Sequence, residues 1–371
     1  MSASVFRAPE RFLFGAGAIQ SLGTEARRFG ERALLVTGRR AMAEAGFTDR
    51  CLAILGKAGV AADLFDQVEP EPDVTTVDRC REALRAGRGE VVIGLGGGSA
   101  LDAAKVAAGL ANETRPTRDF HAGRAPERRG LAMIAVPTTS GTGSEMTNNG
   151  VITDRAEGRK ASIRDDSFVP AAALVDPELS VPCPPRVTAS SGVDALVQAV
   201  ESYLSRHATP MTEAVSLRAA EELAAALPAV VHHGDDLRLR TRAAWGSAMA
   251  GLGLSNARLG VVHGLAHPLG VRYGIPHGLA CGVLWPAALE FNRPASPEKF
   301  ARLAELFGAE PEEYARDLLA ACGLPARLTE YGLRAEDFDA MAEEALASGS
   351  TKANPRAVAK ADAIALIRAV A

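Results

Sequence analysis

A chain of 371 residues, 47% hydrophobic and 23% charged, is long for one hydrophobic core and divides most naturally into two domains. Its formal charge of -4 argues against a nucleic-acid partner, which calls for a basic face, and no apolar run reaches the roughly 18 residues of a membrane span. Five scattered cysteines without CxxC spacing, Cys51, Cys80, Cys183, Cys281 and Cys322, suit a reducing compartment better than a disulfide framework. The first residues carry no charged-then-apolar export signal, so a cytoplasmic location is expected.

In chain order, short β-branched runs alternate with helical patterns as far as Pro182. The run 33–37 (ALLVT) precedes a helix-prone stretch over 39–46. The run 61–68 leads through a Pro-rich loop into a helix over 74–87. The run 90–95 opens directly into a helical pattern over 96–111, and 131–137 runs into the Gly- and hydroxyl-rich segment 138–145. Strand–helix alternation with buried apolar strands predicts a parallel α/β sheet. From VPCPPRV at 181–187 the character changes to helices over 190–205, 212–231 and 236–255, with no convincing strand afterwards. The expected organisation is an α/β nucleotide-type domain over 1–182 and an all-helical domain over 183–371.

Two loops in the first domain suggest anion binding. Gly96, Gly97, Gly98 and Ser99 follow a buried strand and open a helix, where glycines admit a phosphate and free N–H groups point outward. Ser99 and Asp102 also have N-cap and N3 spacing, so part of their work is read as helix capping. The second loop, from Pro137 to Glu145, likewise follows a strand. Two such loops at adjacent strand ends favour a ligand crevice over a pair of ordinary turns.

In the second domain the stretch 259–286 holds three of the seven histidines. His263 and His267 are one helical turn apart on one face. The break at Gly274, Ile275 and Pro276 should end that helix and start another at His277, whose ring could then return toward His263. Metal binding, proton transfer and a simple Gly-rich helix junction all remain open on this stretch alone.

Taken jointly, Gly96-Gly97-Gly98-Ser99 with Asp102 and Lys105, Pro137-Thr138-Thr139 with Gly141-Thr142-Gly143-Ser144-Glu145, Asp176-Pro177 with Leu179, Asp194, and His263, His267 and His277-Gly278 resemble the iron-containing (group III) alcohol dehydrogenase family. The likeness runs in register from Phe14-Gly15 to Phe291-Asn292. It implies a Rossmann-like α/β dinucleotide-binding domain followed by an all-α metal-binding domain, a dehydroquinate synthase-like architecture, with the active site in the cleft between them. It also implies an oxidoreductase interconverting an alcohol and a small aldehyde or ketone, using NAD(P) and one divalent metal, Fe(II) or Zn(II).

Carried over position by position, the resemblance makes Asp194, His263 and His277 the metal ligands. Gln198 stands where iron-type members usually have a histidine, which leaves it a weak ligand, an outer contact or a substrate contact. The related glycerol dehydrogenases are similar in using an Asp and two His, with zinc. His267 is read as a proton relay, or as a helix-face histidine bonded to a carbonyl. Cys281 falls where the family often has asparagine; a thiol on this helix is conceivable as a ligand, but the reading preferred is packing. The resemblance places the dinucleotide along Gly38, Arg39, Gly96, Gly97, Gly98, Ser99, Asp102, Thr138, Thr139, Thr142, Ser144, Lys160 and Leu179. NAD-preferring members put aspartate after the strand-end Thr, to repel a 2′-phosphate. Here that position is Gly38, followed by Arg39 and Arg40, so NADP is favoured over NAD. Glu71 replaces an asparagine common near the adenine.

The expected partner is a small-molecule alcohol or aldehyde, with no nucleic acid and no membrane, and a homodimer is left open. Two alternatives use the same fold. A maleylacetate reductase lacks the metal-binding Asp, so Asp194 argues against it. An NAD- and metal-using sugar-phosphate cyclase needs more cations near the histidines than Arg258 and Arg272 supply. A degenerate binding protein is the third reading.

Overall fold

The computed structural model describes residues 5–371. One compact unit runs to Thr139 and then from Gly143 to Cys183, and the other comprises Ser140–Thr142 and Pro184–Ala371. The first unit is built on eight strands: β1 (Arg11–Phe14), β2 (Arg32–Gly38), β3 (Ala61–Val68), β4 (Val91–Gly96), β5 (Ala132–Pro137), β6 (Asn149–Asp154), β7 (Arg159–Arg164) and β8 (Ala172–Val175). Six of them form one sheet in the order β1-β8-β5-β4-β2-β3, and every pairing in it is parallel. Neighbouring residues on a strand feed opposite cores. Leu34, Val36 and Val92 pack on one face and Leu35, Val91 and Ile93 on the other, as a sheet covered on both sides requires.

Strand β2 pairs with β3 on one side and β4 on the other, so the chain moves outward from β2 to β3 and then crosses back to β4. Ligands of open α/β sheets sit at such a reversal, outside the strands' carboxyl ends. Gly38 closes β2 and Gly96 closes β4, with Thr37 paired to Leu95 one residue earlier.

Three features differ from the sequence pattern. The helix expected over 39–46 is a single turn, Ala41–Glu44, which Gly46 ends at φ 73° before Phe47–Lys57 continues; a left-handed glycine is a common helix stop. Strands β1 and β8 span four residues each, too few to show a period. Strands β6 and β7 form an antiparallel hairpin, hidden because β7 is charged and mostly exposed.

The second unit is helical throughout its described residues. Its site rests on the helices Pro185–Leu204, Val261–Tyr273 and His277–Asn292, and Pro210–Val230 and Leu237–Ala257 also pack there. Small residues set the spacing. A Cβ on Gly192 would lie 2.1 Å from Leu227, and one on Gly246 2.5 Å from Leu223. Gly274, at φ 66°, stops the His263 helix, and Pro276 precedes the next one. Pro cannot continue the first helix but suits the start of the second, so His277 becomes its first residue. Gly278 follows, and a Cβ there would come 2.2 Å from the Ser190 carbonyl oxygen. That bare backbone approach holds the His277 helix against the Asp194 helix. Among the described residues no helix is long and apolar enough to cross a membrane.

The obstacle at Gly278 is backbone, which has no rotamer with which to yield. Gly278→Ala is expected to lower stability by about 1–3 kcal/mol, read as a lower urea midpoint at unchanged slope. An unchanged midpoint would mean that the two helices are not held together at this point.

Candidate active site

The helical unit gathers four donor groups. Asp194, His263, His277 and Cys281 each present one ligand-type atom, and these atoms all lie within 4.8 Å of one another. Asp194 Oδ1 lies 3.2 Å from His263 Nε2 and 3.9 Å from His277 Nε2, and Cys281 Sγ lies 3.7 Å from His277 Nε2. Metal–ligand bonds of 2.0–2.3 Å arranged tetrahedrally imply ligand separations of about 3.3–3.8 Å. The donor set and its spacing therefore fit one divalent ion.

Two further side chains hold these donors in place. Glu201, on the Asp194 helix, accepts from Gly260 N (2.9 Å) and Val262 N (2.8 Å) at the start of the His263 helix and lies 2.6 Å from His263 Nδ1. It thereby caps that helix and turns the ring so that Nε2 faces Asp194. Outer-shell carboxylates commonly orient ligating imidazoles this way. Gln198 donates from Nε2 to Asp194 Oδ2 at 2.9 Å, while its buried Oε1 has no hydrogen-bond partner among the described residues. The amide holds one carboxylate oxygen and leaves the other for the histidines. His267 is not one of the four donors, although its ring centroid lies 5.4 Å from that of His277.

The protonation states follow from burial set against these contacts. Burial opposes ionisation of Asp194, but the bond to His263 and the charge of His277 outweigh it and hold its pKa down to about 2. Burial likewise opposes an imidazolium at His263, yet the Cys281 sulfur and the Asp194 and Glu201 carboxylates raise its pKa well above the usual range. Burial pushes the Cys281 thiol up to about 12.

In the α/β unit the structure sorts the expected dinucleotide residues into two groups. The two loops do meet, since Thr138 N donates to Gly96 O at 3.0 Å and a Cβ on Gly97 would touch Thr139 Oγ1 at 3.3 Å. Beneath them Asp102 and Ser144 point inward. Ser144 Oγ donates to Asp102 Oδ1 (2.6 Å), Val151 N to Asp102 Oδ2 (2.9 Å), and Lys105 Nζ reaches Ser144 O, Ser144 Oγ, Thr147 Oγ1 and Asn149 O. The capping reading of Ser99 and Asp102 is thereby corrected. Gly97 is the N-cap, with no side-chain cap, because Asp102 is engaged with Ser144 and Val151, and Ser99 Oγ accepts from Glu71 N at 3.2 Å. Leu179 is buried in the apolar core. Thr142 falls in the short segment grouped with the helical unit, where the neighbouring Gly141 O accepts from Ser247 Oγ.

Where the resemblance expects the adenosine, Lys160 Nζ pairs with Glu71 Oε1 at 2.7 Å. Gly38 has room for a side chain, because the nearest obstacle to a Cβ there is the Val68 carbonyl oxygen at 3.6 Å. Beside it Arg39 lines an open cavity of about 460 Å³ with Glu69, Asp73, Thr75, Thr76, Arg79, Arg118 and Arg155. Glu69 and Asp73 are turned to Thr76 Oγ1 and to Thr75 and Arg155 N–H groups, and Arg118 is paired with Asp154. Arg39 makes no hydrogen bond or ion pair among the described residues, so its charge is available. Sequence reasoning missed Glu201, Arg79 and Arg155. The 194, 198, 201 spacing, one helical face, was the available signal for Glu201; nothing local marks the two arginines.

Glu145 is buried beside this network, and burial raises its carboxyl pKa from 4.5 to about 7. Because the folded-state value lies above the unfolded one, its contribution to stability is complete below about pH 4.5 and is lost as the pH rises through 7. Glu145→Gln has no such titration. Its stability relative to the native protein should rise between about pH 4.5 and 7 by up to about 3 kcal/mol and then level off. Urea unfolding of both proteins at pH 5 and pH 8 checks this, and an equal difference at the two values would refute it.

Comparison with known proteins accords with this geometry. Residues 9–177 match the model of the iron-containing alcohol dehydrogenases, and residues 188–371 match the C-terminal domain of the same family. The chain is 30% identical to the NAD-dependent methanol dehydrogenase of Bacillus methanolicus over 98% of each sequence. Its fold superposes on the alcohol dehydrogenase from Oenococcus oeni with a TM-score of 0.95 at 32% identity, covering 100% of both chains. It also superposes on the sulfoacetaldehyde reductase from Bifidobacterium kashiwanohense in complex with NAD+, with a TM-score of 0.92 at 29% identity, covering 100% of this chain and 99% of that one. With both halves matched and the relatives covered nearly end to end, the chain belongs to the iron-containing alcohol dehydrogenase family and is an oxidoreductase acting on CH–OH groups.

Proposed function

We propose that this protein is a metal-dependent, NAD(P)H-linked reductase of small aldehydes, running in reverse as an alcohol dehydrogenase. The observation that carries the reading is the convergence of a buried carboxylate and two imidazoles from three helices on one point. Asp194, His263 and His277 would hold the ion. A divalent metal bound there supplies Lewis-acid assistance at a carbonyl oxygen, and the nicotinamide supplies or accepts the hydride. The chain's own residues prepare that chemistry. Glu201 takes the Nδ1 proton of His263 in a hydrogen bond and so presents the Nε2 lone pair, and Gln198 fixes Asp194 in one rotamer. Burial excludes water, which strengthens each of these interactions. His267, adjacent to His277, is the candidate for passing a proton between the substrate oxygen and solvent. A methanol dehydrogenase and a sulfoacetaldehyde reductase among the relatives support a short substrate.

For the cofactor, the NAD+ complex of one relative supports a dinucleotide, and the glycine- and hydroxyl-rich loops at 96–99 and 138–139, which meet after two adjacent parallel strands, are the place we assign to it. Within that, we favour NADPH with NADH tolerated. Gly38 places no carboxylate at the end of β2, and Arg39 faces a cavity whose two carboxylates are already engaged. A 2′-phosphate there meets a net positive surface.

Two experiments test the reading. Protein purified without added metal should contain about one equivalent of a divalent transition metal and reduce a short aldehyde. His277→Ala should lose the metal and about two orders of magnitude or more of kcat/KM while keeping its circular dichroism. Full metal occupancy in that variant would refute the ligand set. Separately, Gly38→Asp should move the NADPH-to-NADH ratio of kcat/KM about tenfold or more toward NADH, the cost of a carboxylate close to a phosphate. A native enzyme that already prefers NADH would overturn the cofactor assignment.

A further inference from the structure

Cys281 is the one donor of the four that the metal site proposed above leaves without a role. It lies four residues after His277 on the same helix, so its sulfur stacks one turn from that imidazole, 3.7 Å from Nε2. It is fully buried, yet its neighbours are polar. The sulfur lies within 4.8 Å of a carboxylate oxygen of Asp194 and a ring nitrogen of His263. Like Cys322, Cys281 belongs to the apolar cluster of the helical unit, but its sulfur is the one cysteine sulfur among the described residues grouped with a carboxylate and two imidazoles. The alternative fourth group, Gln198, has its amide nitrogen toward Asp194. We propose that Cys281, as a thiolate, is the fourth protein ligand of the metal, giving an Asp–His–His–Cys site in this chain.

The proposal rests on the metal-dependent function proposed above and adds a consequence to it. Metal uptake exchanges the thiol proton for the ion, and the proton goes to solvent. Two anionic ligands, Asp194 and Cys281, then balance the two charges of the ion, where Asp194 alone would leave one. A soft thiolate with two imidazoles favours zinc or cobalt over harder divalent ions. A fourth protein ligand would not by itself close such a site to substrate, because zinc tolerates expansion to five ligands.

The test uses Co(II) alone as the probe. Metal-free protein is titrated with Co(II) and followed by absorption spectroscopy. Thiolate ligation gives a near-ultraviolet sulfur-to-cobalt charge-transfer band, in addition to visible ligand-field bands. The expected result is both sets of bands at one equivalent in the native protein. Cys281→Ser and Cys281→Ala should lose the near-ultraviolet band, retain ligand-field absorption and bind about tenfold or more weakly. Ligand-field bands without the charge-transfer band in the native protein would overturn the cysteine assignment and leave the three-ligand reading standing. So would a charge-transfer band that survives both substitutions. If the native protein binds no Co(II) at all, the metal reading fails and this one with it. A native spectrum without the band refutes the assignment whatever the variants do, and having both Cys281→Ser and Cys281→Ala keeps the assignment of a band testable if one of them does not fold.

Discussion

Two carboxylates placed where water does not reach, Asp194 and Glu201 on one helix, set the terms for the helical unit. Moving a carboxylate out of water costs several kcal/mol after relaxation, and only well-aimed donors offset it. Glu201 takes two backbone N–H groups at the start of the His263 helix and the ring Nδ1. Asp194 takes the Gln198 amide on one oxygen and faces His263 with the other. His263 is thus a bridge between two anions. These carboxylates, together with the Cys281 sulfur, hold its pKa well above the usual range, and the same negative charge would stabilise a cation there. The fold serves this arrangement at Gly278, where the absence of a side chain lets the His277 helix approach the Ser190 carbonyl.

The α/β unit solves a similar problem with the opposite sign. Lys105 is a buried cation, and burial lowers its pKa to about 8. It is surrounded by carbonyl and hydroxyl oxygens of the segment 144–149 and, through Ser144, by Asp102. A buried ion pair is weak evidence for stability, since apolar packing often does as well. What this one does is tie the loop after β5 to the helix after β4, the two segments that carry the glycines at the sheet's switch point. The geometry of these two loops is therefore set from beneath, by buried residues.

Much of this is legible in the sequence because it depends on local rules. The parallel strands β2, β4 and β5 appear as buried apolar runs, and the edge strand β3, mostly exposed, as a short run before a Pro-rich loop. The helix break at Gly274–Pro276 follows from a left-handed glycine and a proline, and it delivers His277 back to His263 with ring centroids 5.5 Å apart. The rest depends on where side chains turn after packing, which spacing does not reveal. Asp102 has the spacing of a cap but faces Ser144. Leu179 follows a motif but is core. Glu201 looks like one more helical acid until Gly260 and Val262 are seen to point at it. For Cys281, helix position alone does not reveal that its sulfur lies 3.7 Å from an imidazole nitrogen.

The departures from the family's usual residues are matched by local partners. Glu71, where asparagine is common, is held by Lys160 and exposes no unpaired charge. Gln198, where histidine is usual, commits its amide to Asp194. A histidine at 198 would bring a donor to the metal but would withdraw that bond from the carboxylate, leaving Asp194 Oδ2 to be satisfied another way. The two positions are therefore coupled, and one turn beyond His277, 3.7 Å from its imidazole, lies a sulfur that can supply a donor. Substituting single residues toward the family pattern would change one member of each pair and not the other. Coupling of this kind, measured as non-additivity between neighbours, is the physical reason that a motif read one position at a time identifies the family more securely than it identifies the ligands.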